Sequence, residues 1–104
     1  MQVSVDASEL PQLPAAVEVA AYRIATEAVT NSARHSGTDR ACVRIERHGD
    51  VLVVTVRDEG EADGEWVPGV GLSSMRERAA EVGGTLEVAT DGRGSLVTAK
   101  LPFG

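Results

Sequence analysis

The sequence has few aromatic residues, a single cysteine and no long apolar run. Aromatic residues make up 3% of the chain and hydrophobic residues 42%, so the core has to be aliphatic and rich in alanine. No apolar stretch approaches the ~20 residues that span a bilayer, and the opening MQVSVDASEL lacks the basic start and apolar run of a secretory signal. One cysteine, Cys42, excludes an internal disulfide and fits a reducing cytoplasm, where we expect it to be inert.

Positive charge is also scarce. The formal net charge is −6, which argues against a general nucleic-acid binder and implies that any phosphate-bearing ligand is held by a local site. The length of 104 residues suits one domain with one core. We therefore expect a single cytoplasmic domain over residues 1–104 that makes no membrane contact of its own.

Hydrophobic periodicity predicts helices and strands in alternation. The predicted order is a strand at MQVSVD, a helix from Ala15 to His35, a hairpin in ACVRIERHGDVLVVTVRDEG turning at His48-Gly49-Asp50, a loop over residues 61–68, a helix from about Ser73 to Val82, and strands at TLEVAT and SLVTAKLP. This order predicts an α+β fold, a two-layer α/β sandwich. Its mixed, mostly antiparallel sheet of about five strands would carry the helices on one face.

Polar residues follow the apolar stripe of the first predicted helix along one flank. The stripe consists of Val17, Ala21, Ile24 and Ala28, and beside it Glu27, Asn31 and Arg34 form a ridge. A polar rim that makes helix pairs would explain any one of these residues. Three together beside a core stripe also indicate a candidate site.

Two strand positions point polar groups to the same side. By the two-residue period of a strand, Asp58 continues the apolar face of Leu52, Val54 and Val56, and a buried carboxylate requires hydrogen-bond donors. Ser95 similarly precedes the apolar face of the last strand. The alternative for Asp58 is an ordinary turn or capping aspartate.

The stretch PGVGLSSMRERAAEVGG enters its predicted helix through Gly69-Val70-Gly71 and leaves it through Gly83-Gly84. A glycine after the last turn closes a helix in the left-handed conformation. Glycines before a helix let a phosphate approach its unpaired N–H groups. The motif is neither a phosphate loop of the Gly-x-x-x-x-Gly-Lys kind nor a dinucleotide fingerprint, and a plain loop is the alternative.

Four motifs in order resemble the ATP-binding catalytic domain of bacterial two-component sensor histidine kinases, in the wider family of gyrase, heat-shock-90 and histidine-kinase ATPases. YRIATEAVTNSARHS resembles the asparagine box, VRDEG the first glycine box, GVGLSSMRERAAEVGG the second glycine box, and GRGSLVTAKLP the terminal glycine-plus-hydroxyl strand. The pattern GLxxMRERxxxxGG is typical of the subgroup paired with helix-turn-helix response regulators. The resemblance covers nearly the whole chain and implies the Bergerat-type ATP-binding fold.

The resemblance implies a role for each residue of the asparagine box. Asn31 would ligate Mg²⁺ through its carbonyl oxygen, together with phosphates and waters. Glu27 would orient or polarise the phosphoryl acceptor. Arg34 matches a basic position near the phosphates, and His35 matches a position near the nucleotide, with helix-end packing as its alternative.

The other boxes would hold the nucleotide. Asp58 would accept a hydrogen bond from the adenine amino group, Gly60 would let the backbone pass the base, and Ser95 would stand beside adenine. The phosphates would be lined by four consecutive residues beneath a mobile lid, namely Gly69, Val70, Gly71 and Leu72.

The implied activity is transfer of the γ-phosphoryl group of ATP to a histidine on the dimerisation helices of its own kinase, upstream of a response regulator. No segment of that kind fits in residues 1–14, so we expect those helices, and any membrane anchor, outside this chain. One alternative is a serine kinase that acts as an anti-sigma factor. Another is a degenerate interaction module, favoured by Ala62 in place of the second glycine of the first box and by an acidic lid.

Overall fold

The chain folds as a two-layer sandwich of one sheet and two helices in the part described by the computed structural model, residues 2–7, 12–35, 40–58, 70–91 and 94–103. The elements are β1 (Gln2–Ala7), α1 (Ala15–His35), β2 (Arg40–His48), β3 (Val51–Asp58), α2 (Val70–Glu81), β4 (Thr85–Asp91) and β5 (Gly94–Pro102). The strand order is β1-β2-β3-β5-β4, with β1 parallel to β2 and the other neighbours antiparallel. This is the predicted α+β sandwich with a mixed, mostly antiparallel sheet.

The core between the sheet and the helices is aliphatic, as the low aromatic content predicts. Its fully enclosed side chains are Ile24, Leu52, Val54, Val56, Met75 and Leu101. Among the residues whose burial the structure describes, six alanines are also buried, namely Ala20, Ala21, Ala28, Ala41, Ala79 and Ala99. Of the described aromatic residues, Tyr22 is 71% exposed and Phe103 packs at the edge of the core. Small alanines let the helices approach the sheet closely, which brings residues on their flanks near one another.

The opposite face of the sheet is polar. Arg44 and His48 of β2 both contact Glu46, at 2.8 Å and 3.0 Å, on the exposed side of that strand. The hydrogen bond with His48, and then the positive charge of Arg44, hold the pKa of Glu46 below its ordinary value. Cys42 is a free thiol on the same exposed side. Both helices therefore cover one face only, as predicted.

Two tight turns set the ends of the elements. Gly49 adopts φ 63° in the turn between β2 and β3, where the sequence predicts the hairpin. Gly83 adopts φ 77° after α2, and the amides of Gly83 and Gly84 donate to the carbonyls of Ala80 and Ala79 at 2.9 Å and 2.7 Å. This is the left-handed helix closure that the Gly-Gly pair predicts.

Gly84, just after α2, packs tightly against the backbone of β5. A Cβ atom there would lie 2.4 Å from the carbonyl oxygen of Lys100 and 3.2 Å from that of Ala79. Because both neighbours are backbone atoms, the helix end and β5 would have to separate. We expect Gly84→Ala to lower the free energy of unfolding by about 3 kcal/mol, at the upper end for an overpacked site, as measured by urea denaturation.

Gly49→Ala is the matched control for this prediction. A Cβ there meets nothing within 4 Å, so only the left-handed backbone is strained. That strain costs about 1–2 kcal/mol. If the two variants lose the same stability, steric contact at Gly84 is not the dominant effect.

Candidate functional site

The flank of α1 and the start of α2 meet beside the core and bring polar groups together. Helix α1 buries the predicted stripe, with Val17 at 4%, Ile24 at 0% and Ala28 at 2% exposure, and so turns Glu27 toward α2. Helix α2 buries Met75 and Ala79 and turns Ser74 and Arg78, which are half-buried, toward α1. Where the two helices meet, polar side chains therefore lie beside the apolar residues that both helices bury in the core.

Glu27 is the centre of this junction. Ser74 Oγ donates a hydrogen bond to Glu27 Oε1 at 3.1 Å, and Arg78 Nε lies 3.7 Å from the same oxygen. Within the described residues, the other oxygen, Oε2, is buried and has no hydrogen-bond partner. An ionised carboxylate accepts hydrogen bonds only, so Oε2 is an unused acceptor at the helix junction.

Asp58 lies at the end of β3 on the side that faces the helices. Its exposure is 3%, in line with Leu52, Val54 and Val56 of the same face. It is the one buried charged residue that the described part of the chain contains. Its backbone pairs with Ala41 of β2. The expectation that this carboxylate points inward is confirmed.

Helix α2 begins at Val70 and not at Ser73, so the predicted start was wrong. The carbonyls of residues 70–73 accept from amides one turn later, while their own N–H groups need no helical partner. The helix thus extends back across Gly71 and Leu72, which belong to its first turn. Their backbone N–H groups are among those that a helix N-terminus offers to an anion.

Several predicted site residues lie partly or wholly outside the described part of the chain. For Asn31, Arg34 and His35, in the last turns of α1, the structure describes the backbone only. The same holds for Ser95, the second residue of β5. Continuing the register of β3 and β5 by one residue would place the backbone of Ser95 opposite Asp58. Gly60, Gly69 and the lid over residues 61–68 lie outside the described residues.

Sequence reasoning missed Ser74 and Arg78 as partners of Glu27. The available signal was their spacing of four residues, which places them on one face of α2 beside the Met75 and Ala79 stripe. Plotting α2 at 100° per residue would have shown these polar residues on one flank of its apolar stripe. Nothing local indicated that the two polar flanks face each other.

A second surface feature was also not predicted. An open groove of about 890 Å³ runs between α1 and the β1–β2 edge of the sheet. Its apolar lining includes Val5, Val19, Tyr22, Val29 and Ile45. Val5, Val19 and Tyr22 are 65%, 53% and 71% exposed. The groove lies on the other flank of α1 from Glu27.

The described part of the chain contains neither a membrane-spanning helix nor a cluster of metal-ligating side chains. Its helices do not include one with the length and apolarity to span a membrane. Among the same residues, no three His, Cys, Asp or Glu side chains cluster in a way that could hold a metal ion.

Sequence comparison finds relatives among sensor kinases, although no protein-family model matches the chain. Over 88 residues the chain is 38% identical to "Sensor histidine kinase YxjM" of Bacillus subtilis strain 168, covering 83% of this chain and 22% of that protein. Over 96 residues it is 30% identical to "Sensor protein VraS" of Staphylococcus epidermidis, covering 88% of this chain and 28% of that protein. The chain thus spans about a quarter of the length of these relatives.

Structure comparison finds the same fold in solved histidine kinases. The histidine kinase domain of the blue-light activated kinase EL346 from Erythrobacter litoralis matches 98% of this chain and 51% of its own, with a TM-score of 0.81 at 24% identity. The ATP binding domain of PrrB from Mycobacterium tuberculosis matches 98% of this chain and 81% of its own, with a TM-score of 0.69 at 18% identity. The chain therefore belongs to the sensor histidine kinases and has the fold of their ATP-binding domain.

Proposed function

We propose that this domain binds Mg²⁺-ATP and donates the γ-phosphoryl group to a histidine of a kinase dimerisation segment. The observation that carries the proposal is the buried Asp58 carboxylate at the end of β3, below the helix layer. A carboxylate has several acceptor positions, and the amino group of adenine is a donor that can occupy one of them. The homology to sensor histidine kinases supports the same assignment.

The phosphates would lie at the start of α2. Gly71 and Leu72 belong to the first turn of that helix, where N–H groups and the positive end of the helix dipole favour an anion. Gly69 and Val70 would complete this edge. Asn31, one turn beyond Glu27 on α1, would supply an amide oxygen to Mg²⁺, while Arg34 and His35 follow on the same helix. Mg²⁺ held by Asn31 would supply positive charge beside the phosphates.

Glu27 would act on the acceptor. Its Oε2, buried and without a partner among the described residues, would accept a hydrogen bond from one ring N–H of the acceptor imidazole after the acceptor displaces the groups that cover it, and so orient the other ring nitrogen toward the γ-phosphorus. Transfer forms a phosphorus–nitrogen bond and breaks the bond to the bridging oxygen, with ADP leaving. Phosphoryl transfer depends mainly on positioning and charge, which fits a domain that contributes one carboxylate and several backbone groups.

The partners follow from this chemistry. The acceptor histidine would lie on the dimerisation helices of the parent kinase, and a response regulator would receive the phosphoryl group. The domain would work in the cytoplasm, where ATP and reducing conditions are available. Because the chain spans about a quarter of its relatives, these statements about the whole kinase are part of the proposal.

Asn31→Ala tests the metal assignment. In calorimetric titrations with a non-hydrolysable ATP analogue, we expect the parent chain to bind more tightly with Mg²⁺ than with EDTA. In Asn31→Ala the two affinities should approach each other, because the variant loses a metal ligand and keeps the adenine contacts. Thr30→Ala, on the exposed side of the same helix turn, is the matched control and should behave like the parent.

The titration also separates the proposed function from its alternatives. Equal losses with and without Mg²⁺ would mean that Asn31 is not the metal ligand. Failure of the parent chain to bind the analogue at all would favour a non-catalytic interaction module.

A further inference from the structure

Ser74 and Arg78 of α2 contact Glu27 of α1 through the same carboxylate oxygen. Ser74 Oγ donates to Oε1 at 3.1 Å, and Arg78 Nε lies 3.7 Å from Oε1. Residues four apart on a helix lie one above the other, so both side chains reach Oε1 from one face of α2. One oxygen is therefore held by two contacts from the neighbouring helix, and the carboxylate cannot rotate without breaking the hydrogen bond.

The second oxygen is left unused. In the described part of the structure, Glu27 Oε2 and Arg78 Nε are both buried and lack hydrogen-bond partners. The separation of 3.7 Å between Arg78 Nε and Oε1 suits an ion pair and exceeds a hydrogen bond. A buried acceptor without a partner destabilises the folded chain. If Glu27 served only to stabilise the packing of the two helices, hydrogen bonds to both of its oxygens would stabilise the fold more than a hydrogen bond to one.

We infer that Ser74 and Arg78 are positioning residues for Glu27, an inference that rests on the proposed function. They hold Oε1 and thereby leave Oε2 as the oxygen that accepts from the N–H of the acceptor imidazole; because Oε2 is buried in the chain alone, the acceptor has to displace the groups that cover it. Ser74 sets the direction, because a hydroxyl hydrogen bond is directional. Arg78 supplies a compensating charge with 29% of its side chain exposed, where an ion pair contributes little stability.

The location of these residues links the two halves of the site. Ser74 and Arg78 lie on the helix whose first turn contains Gly71 and Leu72, where the phosphates are proposed to bind. Any shift of α2 against α1 would change the hydrogen bond between Ser74 and Glu27. The orientation of the carboxylate therefore depends on the helix that meets the nucleotide.

The first experiment asks whether the contact exists in solution without nucleotide. Urea unfolding of Ser74→Ala, Glu27→Ala and the double variant in the 104-residue chain forms a double-mutant cycle. We expect non-additive shifts, since each single variant already removes the shared hydrogen bond. Additive shifts would overturn the inference and leave the proposed function untouched, because Mg²⁺-ATP binding is measured separately.

The second experiment asks whether the contact positions Glu27 for transfer. At saturating Mg²⁺-ATP, with the histidine-bearing segment of the parent kinase as acceptor, we expect Ser74→Ala to slow transfer about 10- to 100-fold, as for a lost hydrogen bond to a charged group. Arg78→Ala, which removes an ion pair without a hydrogen bond, should slow transfer less. The affinity for Mg²⁺-ATP should stay within about twofold. Ser74→Thr, which keeps the hydroxyl, should restore the rate, and the exposed Arg76→Ala should have no effect.

The other possible results also support or overturn the positioning role of Ser74. In a Glu27→Ala background, Ser74→Ala should cause no further loss of rate; an additional loss would mean that Ser74 acts independently of Glu27. If Ser74→Ala transfers phosphate at the parent rate although the unfolding cycle shows coupling, the hydrogen bond stabilises the fold and does not position Glu27, which overturns the inference. If the parent chain binds no Mg²⁺-ATP, the proposed function fails first, and this inference fails with it.

Discussion

Replacing Glu27 is expected to slow phosphoryl transfer by about 10²-fold, the lower end of the 10² to 10⁴ typical of a positioned acid–base group. The lower end applies because transfer through a loose transition state needs little proton movement. Glu27→Gln should lose nearly as much as Glu27→Ala, since the amide fills the same space but lacks the charge that favours the imidazole N–H. The measurement is single-turnover transfer of labelled γ-phosphate to the histidine-bearing segment.

Glu18→Gln is the matched control for this expectation, because Glu18 is an exposed acidic residue on the same helix. It should transfer phosphate at the parent rate. Product chemistry provides a second test, since phosphohistidine is labile in acid and phosphoserine is not. Label that survives acid on a separate protein would favour the serine-kinase alternative, and a normal rate in both Glu27 variants would remove this residue from the reaction.

Asp58→Ala is expected to weaken ATP binding about 10- to 150-fold, which corresponds to about 1.5–3 kcal/mol for a lost hydrogen bond to a charged group. The carboxylate is 3% exposed, so water would replace it poorly as an acceptor for the adenine amino group. The parent should also prefer ATP to GTP, because guanine would present a carbonyl to the carboxylate. Competitive titration with the two nucleotides measures both effects.

Selectivity is the sharper readout for Asp58, because a buried charge also affects folding. Asp58→Asn keeps the size of the side chain and should lose part of the preference for adenine while remaining folded by circular dichroism. A variant at Asp58 that still binds ATP as tightly as the parent, with the same preference over GTP, would exclude this residue from base recognition.

Most of the fold could be predicted from the local hydrophobic periodicity of the sequence. Helix α1 runs from Ala15 to His35 as predicted, because an unbroken apolar stripe of 3.6-residue period has no competing interpretation. The inward direction of Asp58 followed from the two-residue period of β3. The start of α2 was missed because Gly71 suggests a loop, whereas first-turn residues join a helix through their carbonyls alone.

Contacts between distant residues could not be obtained in this way. The hydrogen bond between Ser74 and Glu27 joins residues 47 positions apart, and its existence depends on how two helices rotate over one sheet. The position of β4 outside β5, at the edge of the sheet, is likewise a property of the whole fold. The nucleotide-binding roles are proposals that come from resemblance, and the structure adds the burial of Asp58 and the environment of Glu27.

The apolar groove beside α1 affects how the stability of this domain can be followed. Dyes that fluoresce in apolar surroundings are commonly used to detect loosened or partly unfolded protein. A folded surface with Val19 and Tyr22 more than half exposed beside an open cleft offers such dyes a place to bind before any unfolding. Dye fluorescence would then start high in the native state, so circular dichroism is the sounder signal for melting curves of this chain.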